Sequence, residues 1–169
     1  MSEHRGQDDE VDRIVAAWRR ERPDLDVAPL EVLSRVTRLA RHLDRARRTA
    51  FESHQLDAWS FDVLAALRRA GSPYQLSPGQ LSAETMVTSG TMTNRLDRLE
   101  ESGWVTRQPD PSDGRSVLVR LTTEGEHRVD EALADLLAQE RDLLHSLNDD
   151  ERALLAQVLR QVLAPMDAE

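Results

Sequence analysis

Residues 88–125 read TSGTMTNRLDRLEESGWVTRQPDPSDGRSVLVRLTTEG, and the hydrophobic period changes within this stretch. Over residues 89–101 the apolar side chains recur at helical spacing. Over residues 104–108 and 116–121 apolar and polar side chains alternate, as is typical of strands. The proline- and aspartate-rich segment 109–114 predicts a turn-rich loop without regular structure. The stretch therefore predicts a helix followed by a β-hairpin.

The rest of the chain has predominantly helical patterns. They cover residues 11–18, 29–53 and 59–70, and further helices open at Ser77-Pro78, at Thr122 and at Asn148. A helix, a short helix, a helix and a hairpin, in that order, are typical of a winged helix-turn-helix. The predicted fold class is therefore mainly α with a small β-hairpin, organised as a winged helix-turn-helix.

The terminal helices are more apolar than one small winged domain requires. A second copy of the chain is the simplest explanation, so we expect a two-fold dimer through the N- and C-terminal helices. One integrated domain then has three parts. Residues 1–57 hold the N-terminal helix and the first dimerisation helix, residues 58–122 hold the winged helix-turn-helix, and residues 123–169 hold the C-terminal dimerisation helices.

Composition restricts the class of protein. The 169 residues include no cysteine, which excludes disulfides, thiolate metal sites and cysteine nucleophiles. No apolar run approaches the length of a membrane span and no secretory signal is visible, so we expect a cytoplasmic protein. The net charge of −9 argues weakly against nucleic acid, but residues 32–70 carry eight arginines and four acids. The middle of the chain can therefore face a polyanion.

Four segments carry a resemblance to a known family, namely residues 88–95, 99–107, 110–115 and 119–125. They resemble the MarR family of bacterial transcription regulators, and the resemblance covers nearly the whole chain. An Asp-x-Arg wing tip followed by a Leu-Thr-x-x-Gly element is specific to that family when it follows a helix-turn-helix. The resemblance implies a repressor of its own gene, and often of a divergent neighbouring gene, bound to a pseudo-palindromic operator in double-stranded DNA.

The chain is also similar to the urate-responsive, PecS-like branch of that family. The matching residues are Trp18 in an N-terminal helix, Asp62 in the third helix, Arg95 in the recognition helix and Arg107 in the first wing strand. The resemblance implies that they bind a small anionic effector, with urate the best candidate. An aromatic plane, two guanidinium groups and a carboxylate suit a flat, singly charged heterocycle. A citrate-like or phenolic carboxylate stays open as an alternative.

The same four residues also have structural interpretations. Trp18 can serve core or dimer packing, Arg107 can point inward or face phosphate, and Arg95, on the core side of its helix, can pair with Asp62. We hypothesise that Asp62 holds Arg95 in the free dimer. A bound anion would compete for Arg95 and shift the recognition helix, provided that its affinity differs between the two states.

The exposed face of the predicted recognition helix carries candidates for reading DNA. They are Ser89, Thr91, Asn94 and Arg98, with Thr88 as the N-cap and a phosphate contact. Asparagine and arginine can make bidentate contacts with adenine and guanine edges. Arg115, at the hairpin tip, is placed to enter a minor groove. The alternatives are helix capping for Thr88 and Ser89, and local ion pairs for the two arginines.

Two other classes of function fit the sequence less well. The sequence contains no glycine-rich phosphate loop, no Gly-x-Ser-x-Gly motif and no His-Glu-x-x-His motif that would indicate an enzyme. The five histidines are scattered without acids at ligand spacing, so we predict no metal and no cofactor. An oligomerisation module that does not bind DNA would have no use for a polar recognition face. The prediction is a ligand-responsive regulator whose partners are double-stranded DNA, a second copy of itself and a small anion.

Overall fold

The computed structural model describes residues 8–111 and 113–166, apart from the side chains of residues 113–115. The elements in that part are α1 (Glu10–Glu21), α2 (Ala28–Glu52), α3 (Ala58–Arg69), β1 (Gln75–Leu76), α4 (Pro78–Glu84), α5 (Ser89–Glu101), β2 (Val105–Asp110), β3 (Asp113–Leu121), α6 (Thr123–Leu143) and α7 (Asp149–Leu163). The predicted class, mainly α with a winged helix-turn-helix, is confirmed. The chain divides into two compact units, Met1–Arg45 and Ala46–Glu169.

The N-terminal unit is held by a small apolar cluster and by ion pairs between α1 and α2. Val11 and Val15 of α1 are buried together with Val27, just before α2. Arg35 of α2 donates a hydrogen bond of 2.7 Å to the carboxylate of Asp12. This hydrogen bond is the main cause of a lowered pKa at Asp12. Apolar packing and charge therefore both fix α1 on its neighbour.

The C-terminal unit is built around α3, whose Val63, Leu64 and Leu67 have no solvent exposure. A helix that is apolar on several faces needs neighbours on several sides. Phe61 of α3 stacks on Phe51 of α2 with ring centroids 4.2 Å apart. The same core includes Leu81, Met92, Leu96, Leu99, Val105, Val119 and Val129. Helices α4, α5 and α6 and the sheet are thus packed around one central helix.

The sheet has three strands rather than the two of the predicted hairpin. Their order is β1-β3-β2, and both pairs are antiparallel. Two-residue β1 was not predicted because so short a strand shows no alternation. In the β2–β3 pair Arg107 lies opposite Val119. This register places the Arg107 side chain at the level of the last turns of α5.

The predicted irregular loop over residues 109–114 is wrong. Strand β2 continues to Asp110 and β3 begins at Asp113, with Pro109 opposite Val117. The register shifts between Pro109 and Asp110. Because β2 lies at the edge of the sheet, the missing N–H of Pro109 does not interrupt a ladder to a further strand. Proline in this segment therefore marks an edge strand rather than a break.

One threonine joins the end of α5, the start of β2 and the start of α6. The Thr122 hydroxyl donates to the Gly103 carbonyl at 2.8 Å and accepts from the Gly125 amide at 3.0 Å. The Thr122 amide donates to the Trp104 carbonyl at 3.0 Å. Gly103, predicted to end its helix, has a φ of 76°. We call these four residues, Gly103, Trp104, Thr122 and Gly125, the wing-root junction.

Helix α7 exposes its apolar face. None of its residues is buried within the described part of the chain. Its exposed large apolar side chains are Leu154, Val158, Leu159, Val162 and Leu163. No helix among the described residues has the length and hydropathy to cross a bilayer. An exposed apolar helix face of this kind is a candidate interaction surface.

Candidate nucleic-acid interface and effector residues

Helix α5 has one buried face and one polar face. Its N-cap is Thr88, whose hydroxyl accepts a hydrogen bond from the Thr91 amide. Met92, Leu96 and Leu99 are buried at i, i+4 and i+7 and fix the helix on the core. The bounds Ser89–Glu101 agree with the sequence prediction. This attachment presents the other side of the helix to solvent.

The predicted DNA-reading residues near the start of α5 lie on that solvent face. Thr88, Ser89, Thr91 and Asn94 are all exposed. The hydroxyls of Thr88 and Thr91 are 3.0 Å apart and bond to each other. The Asn94 side chain makes no hydrogen bond within the described residues. Its amide therefore has donor and acceptor capacity for a partner outside the chain.

Arg98 and Arg95 both lie over the indole ring of Trp59, at the start of α3. The guanidinium carbon is 5.0 Å from the Trp59 ring centroid for Arg98 and 5.5 Å for Arg95. These are cation–π distances. Trp59 was missed as a functional residue because its place in an apolar pattern indicated core packing alone. The fold uses it as a platform for two arginines of the recognition helix.

The predicted pair between Asp62 and Arg95 is absent from the described residues. Asp62 instead accepts a hydrogen bond of 3.5 Å from Arg47, near the end of α2. Both side chains of this pair are well exposed, 38% for Arg47 and 47% for Asp62. The hypothesis that Asp62 holds Arg95 is wrong for this state, because Arg95 lies over Trp59 and a nearer arginine takes the carboxylate.

Arg107 is held by two acids on α5. Its guanidinium donates to Asp97 at 2.6 Å and to Glu100 at 2.7 Å, and its side chain is 28% exposed. Burial lowers the pKa of the Arg107 guanidinium, but the hydrogen bonds to Asp97 and Glu100 outweigh it and raise the pKa overall. Sequence reasoning found Arg107 but not its partners, although Asp97 and Glu100 lie on one side of their helix.

The remaining candidates are placed as follows. Trp18 belongs to α1 in the N-terminal unit and is 49% exposed, whereas Asp62, Arg95 and Arg107 belong to the C-terminal unit. The side chain of Arg115 lies outside the described residues, and its backbone is part of β3. The structure brings Arg107 against the recognition helix. Among the described residues, Asp62, Arg95 and Arg107 make no direct contact with one another.

The histidines are less isolated than the sequence suggested. His54 hydrogen-bonds to Asp135 at 2.8 Å through Nε2 and lies 3.6 Å from Glu131 through Nδ1. His127 pairs with Glu131 one helical turn away, at 3.7 Å. The fold therefore brings histidines that are scattered in the sequence against acids of α6. No set of three or more side chains among the described residues is arranged to hold a metal ion.

Comparisons with known proteins agree with this arrangement. A family model described as MarR family matches residues 54–116, from just after α2 to the middle of β3. The HTH-type transcriptional regulator PecS of Dickeya dadantii is 42% identical over 153 residues, which cover 90% of this chain and 92% of PecS. This chain belongs to the MarR family. The MarR protein of Escherichia coli is 38% identical over 110 residues, or 64% of this chain and 74% of that protein.

Solved structures of MarR-family proteins support the same assignment. A mutant MarR from Escherichia coli, complexed with operator DNA, has a TM-score of 0.66 and 32% identity, covering 81% of this chain and 95% of that one. A MarR-family protein from Bacillus stearothermophilus has a TM-score of 0.70 at 24% identity, which shows the fold alone. This MarR-family member is a DNA-binding transcriptional regulator, and the relatives it matches are regulators rather than enzymes.

Proposed function

We propose that this MarR-family regulator is a dimeric repressor that leaves a pseudo-palindromic operator when a small organic anion binds, and that the anion is urate. The observation that carries the proposal is the outer face of α5. Thr88, Ser89, Thr91 and Asn94 are exposed at the start of a helix whose opposite side is buried. A firmly anchored helix with a polar, solvent-facing first half is suited to the major groove.

In this proposal helix α5 and the hairpin contact different parts of the duplex. Asn94 contacts base edges, while Thr88, Ser89 and the amides at the start of α5 contact phosphate. Arg98, stacked on Trp59, faces the DNA backbone, and Arg115 enters the flanking minor groove. Because the protein carries a net charge of −9, its DNA affinity depends on locally clustered arginines and falls steeply with added salt.

The proposal includes a two-fold dimer. The exposed apolar residues of α7 support it, since five large side chains on one helix are left in solvent by a single chain. Self-association of the terminal helices would cover them. A two-fold dimer presents two recognition helices, so the operator has two half-sites about one helical turn apart. Membership of the MarR family supports this arrangement.

The effector residues in the proposal are Trp18, Asp62, Arg95 and Arg107. The contacts support a release mechanism that differs from displacement of Asp62 by the anion. A ligand that binds the Arg107 guanidinium must compete with Asp97 and Glu100 of α5. A ligand that binds Arg95 must move the Arg95 guanidinium away from the Trp59 ring. Either event changes contacts of the recognition helix. Release follows only if the anion binds the displaced state more tightly than the DNA-bound state.

The test is a titration of urate into the protein, with citrate and salicylate in parallel. Tryptophan fluorescence reports binding, and the anisotropy of a labelled operator, selected by the protein from a random DNA library, reports release. We expect saturable quenching and release by urate, with both lost in Trp18→Phe and Arg95→Ala. A response to citrate or salicylate but not to urate would contradict the ligand and keep the repressor. Failure to select any DNA sequence would contradict the repressor itself.

A further inference from the structure

Arg107 of β2 is joined to α5 by four hydrogen bonds. Its Nη1 donates to Glu100 Oε2 at 2.7 Å, and its backbone amide donates to Glu100 Oε1 at 3.0 Å. Its Nη2 donates to Asp97 Oδ1 at 2.6 Å and is 3.5 Å from the Thr93 carbonyl oxygen. Both the main chain and the side chain of one strand residue are therefore tied to the recognition helix. We call Asp97, Glu100 and Arg107 the wing clasp.

The geometry of the wing clasp restrains both the position and the rotation of the strand. Thr93, Asp97 and Glu100 follow one another at i, i+4 and i+7 and form a single stripe along α5. One carboxylate oxygen of Glu100 accepts from the Arg107 backbone amide and the other accepts from its guanidinium. Attachment at two points restrains the strand in rotation as well as in position. Charge-assisted hydrogen bonds from the planar guanidinium of arginine to a carboxylate are stronger and more directional than hydrogen bonds between neutral groups.

Two carboxylates on a DNA-reading helix are unexpected from electrostatics alone. A negative charge near phosphate weakens DNA binding, since cations on the protein are what release the counterions of DNA. A functional role for Asp97 and Glu100 has to outweigh this repulsion. Their contacts with Arg107 supply one, because the wing and the recognition helix must keep a fixed relative position to occupy neighbouring grooves together.

We propose that Asp97 and Glu100 are positioning residues for operator recognition. Through Arg107 they fix the wing relative to α5, so that the hairpin and the recognition helix read the operator as one rigid unit. The inference rests on the operator binding described under the proposed function and is independent of which anion is the effector. Neither acid contacts DNA in this proposal, and both act through the arginine between them.

The proposal predicts the sign of a mutational effect. Removal of a negative charge from the recognition helix should raise DNA affinity if the acids have no positioning role. Glu100→Gln should instead weaken operator binding by about fivefold, the effect of losing one partly buried ion-pair interaction. Asp97→Asn, which leaves both Glu100 contacts in place, should act in the same direction with a smaller factor.

Glu101→Gln is the matched control. Glu101 is the next residue of the same helix, is exposed, and makes no ion pair or hydrogen bond through its side chain within the described residues. The Glu101→Gln substitution removes one negative charge from the same end of α5 and leaves the wing clasp unchanged. We expect its operator affinity to equal or exceed that of the parent. The proposal is overturned if Glu100→Gln and Glu101→Gln bind the operator equally well.

A footprint separates positioning from a general loss of stability. At saturating protein, hydroxyl-radical protection of the minor groove reports the wing, and methylation protection of guanine N7 reports α5 in the major groove. We expect Glu100→Gln to lose minor-groove protection while it keeps major-groove protection. Equal loss of both, together with a lowered thermal midpoint, would show a merely structural role. If the parent protein itself gives no footprint, the result contradicts the proposed repressor function as well as the role of the wing clasp.

Discussion

At the scale of single residues, Gly125 occupies a position that no side chain can fill. A Cβ atom built on it would lie 2.0 Å from the Trp104 carbonyl oxygen, which is a backbone atom that cannot rotate away. We predict that Gly125→Ala lowers the free energy of unfolding by about 2 kcal/mol or more, as overpacked interiors do. Urea unfolding followed by far-ultraviolet circular dichroism measures the change.

Gly90 provides the comparison for that experiment. It lies in the first turn of α5, and a Cβ added there meets no atom within 4 Å. Gly90→Ala should raise stability by up to about 1 kcal/mol, because alanine loses less backbone entropy in a helix. If the free energy of unfolding falls in Gly125→Ala and rises in Gly90→Ala, the close approach at the wing-root junction, rather than the loss of a glycine, causes the effect. Equal signs would contradict it.

Residue partners were the least predictable part of the site. The sequence predicted that Ser89, Thr91 and Asn94 face solvent, because helical spacing alone decides which side of a helix a residue occupies. The partner of Asp62 could not be predicted in this way. It depends on which of several arginines the tertiary fold brings near, and the fold brings Arg47. Ion pairs between separate elements leave no periodic signal in the sequence.

At the scale of elements, α1 is attached by carboxylates that respond to acid. The pKa of Asp12 is lowered from its ordinary value of 3.8, chiefly by the hydrogen bond from Arg35. A carboxylate whose pKa is lower in the folded state contributes stability above its unfolded pKa and loses it as the pH falls through the folded pKa. We therefore predict that α1 separates from α2 as the pH falls below about 4.

The emission of Trp18, which lies on α1, reports this separation in a variant with Trp59→Phe and Trp104→Phe. We expect a red shift on acidification, when the half-exposed indole becomes fully solvated. In the same background Asp12→Asn should shift the transition to higher pH, because one of the anchoring ion pairs is already missing. Superimposable titrations with and without Asp12→Asn would refute the role given to this pair.

Element boundaries followed the sequence wherever caps and periodicity agreed. The N-caps Ser77, Thr88 and Asn148 each accept a hydrogen bond from the backbone amide three residues on, as their sequence context indicated. The wing departed from the prediction because turn residues were given more weight than strand pairing. Cross-strand hydrogen bonds extend the hairpin past Pro109, and that long-range contribution is invisible in a local pattern.

At the scale of the whole molecule, the exposed face of α7 predicts how the dimer can be broken. Leu159→Asp places a charge among the exposed apolar residues of that helix, where burial against a second copy would be costly. We expect sedimentation velocity to show a monomer and operator affinity to fall at least about tenfold, since each half-site would then bind separately. Gln157→Asp, on the polar side of α7, adds the same charge and should leave the dimer intact. A dimeric Leu159→Asp protein would exclude α7 from the interface.

The wing-root junction ties the start of α6 to the wing, while Val129 and Leu136 pack the rest of that helix into the core. The 21 residues of Thr123–Leu143 form a rod about 30 Å long, and its N-cap, Thr122, is bonded to Gly103 and Trp104. A tilt of about 5° around that point moves the far end by roughly 3 Å. In the proposed dimer, the distance between the two wings would therefore depend on the angle at which the α6 helices stand.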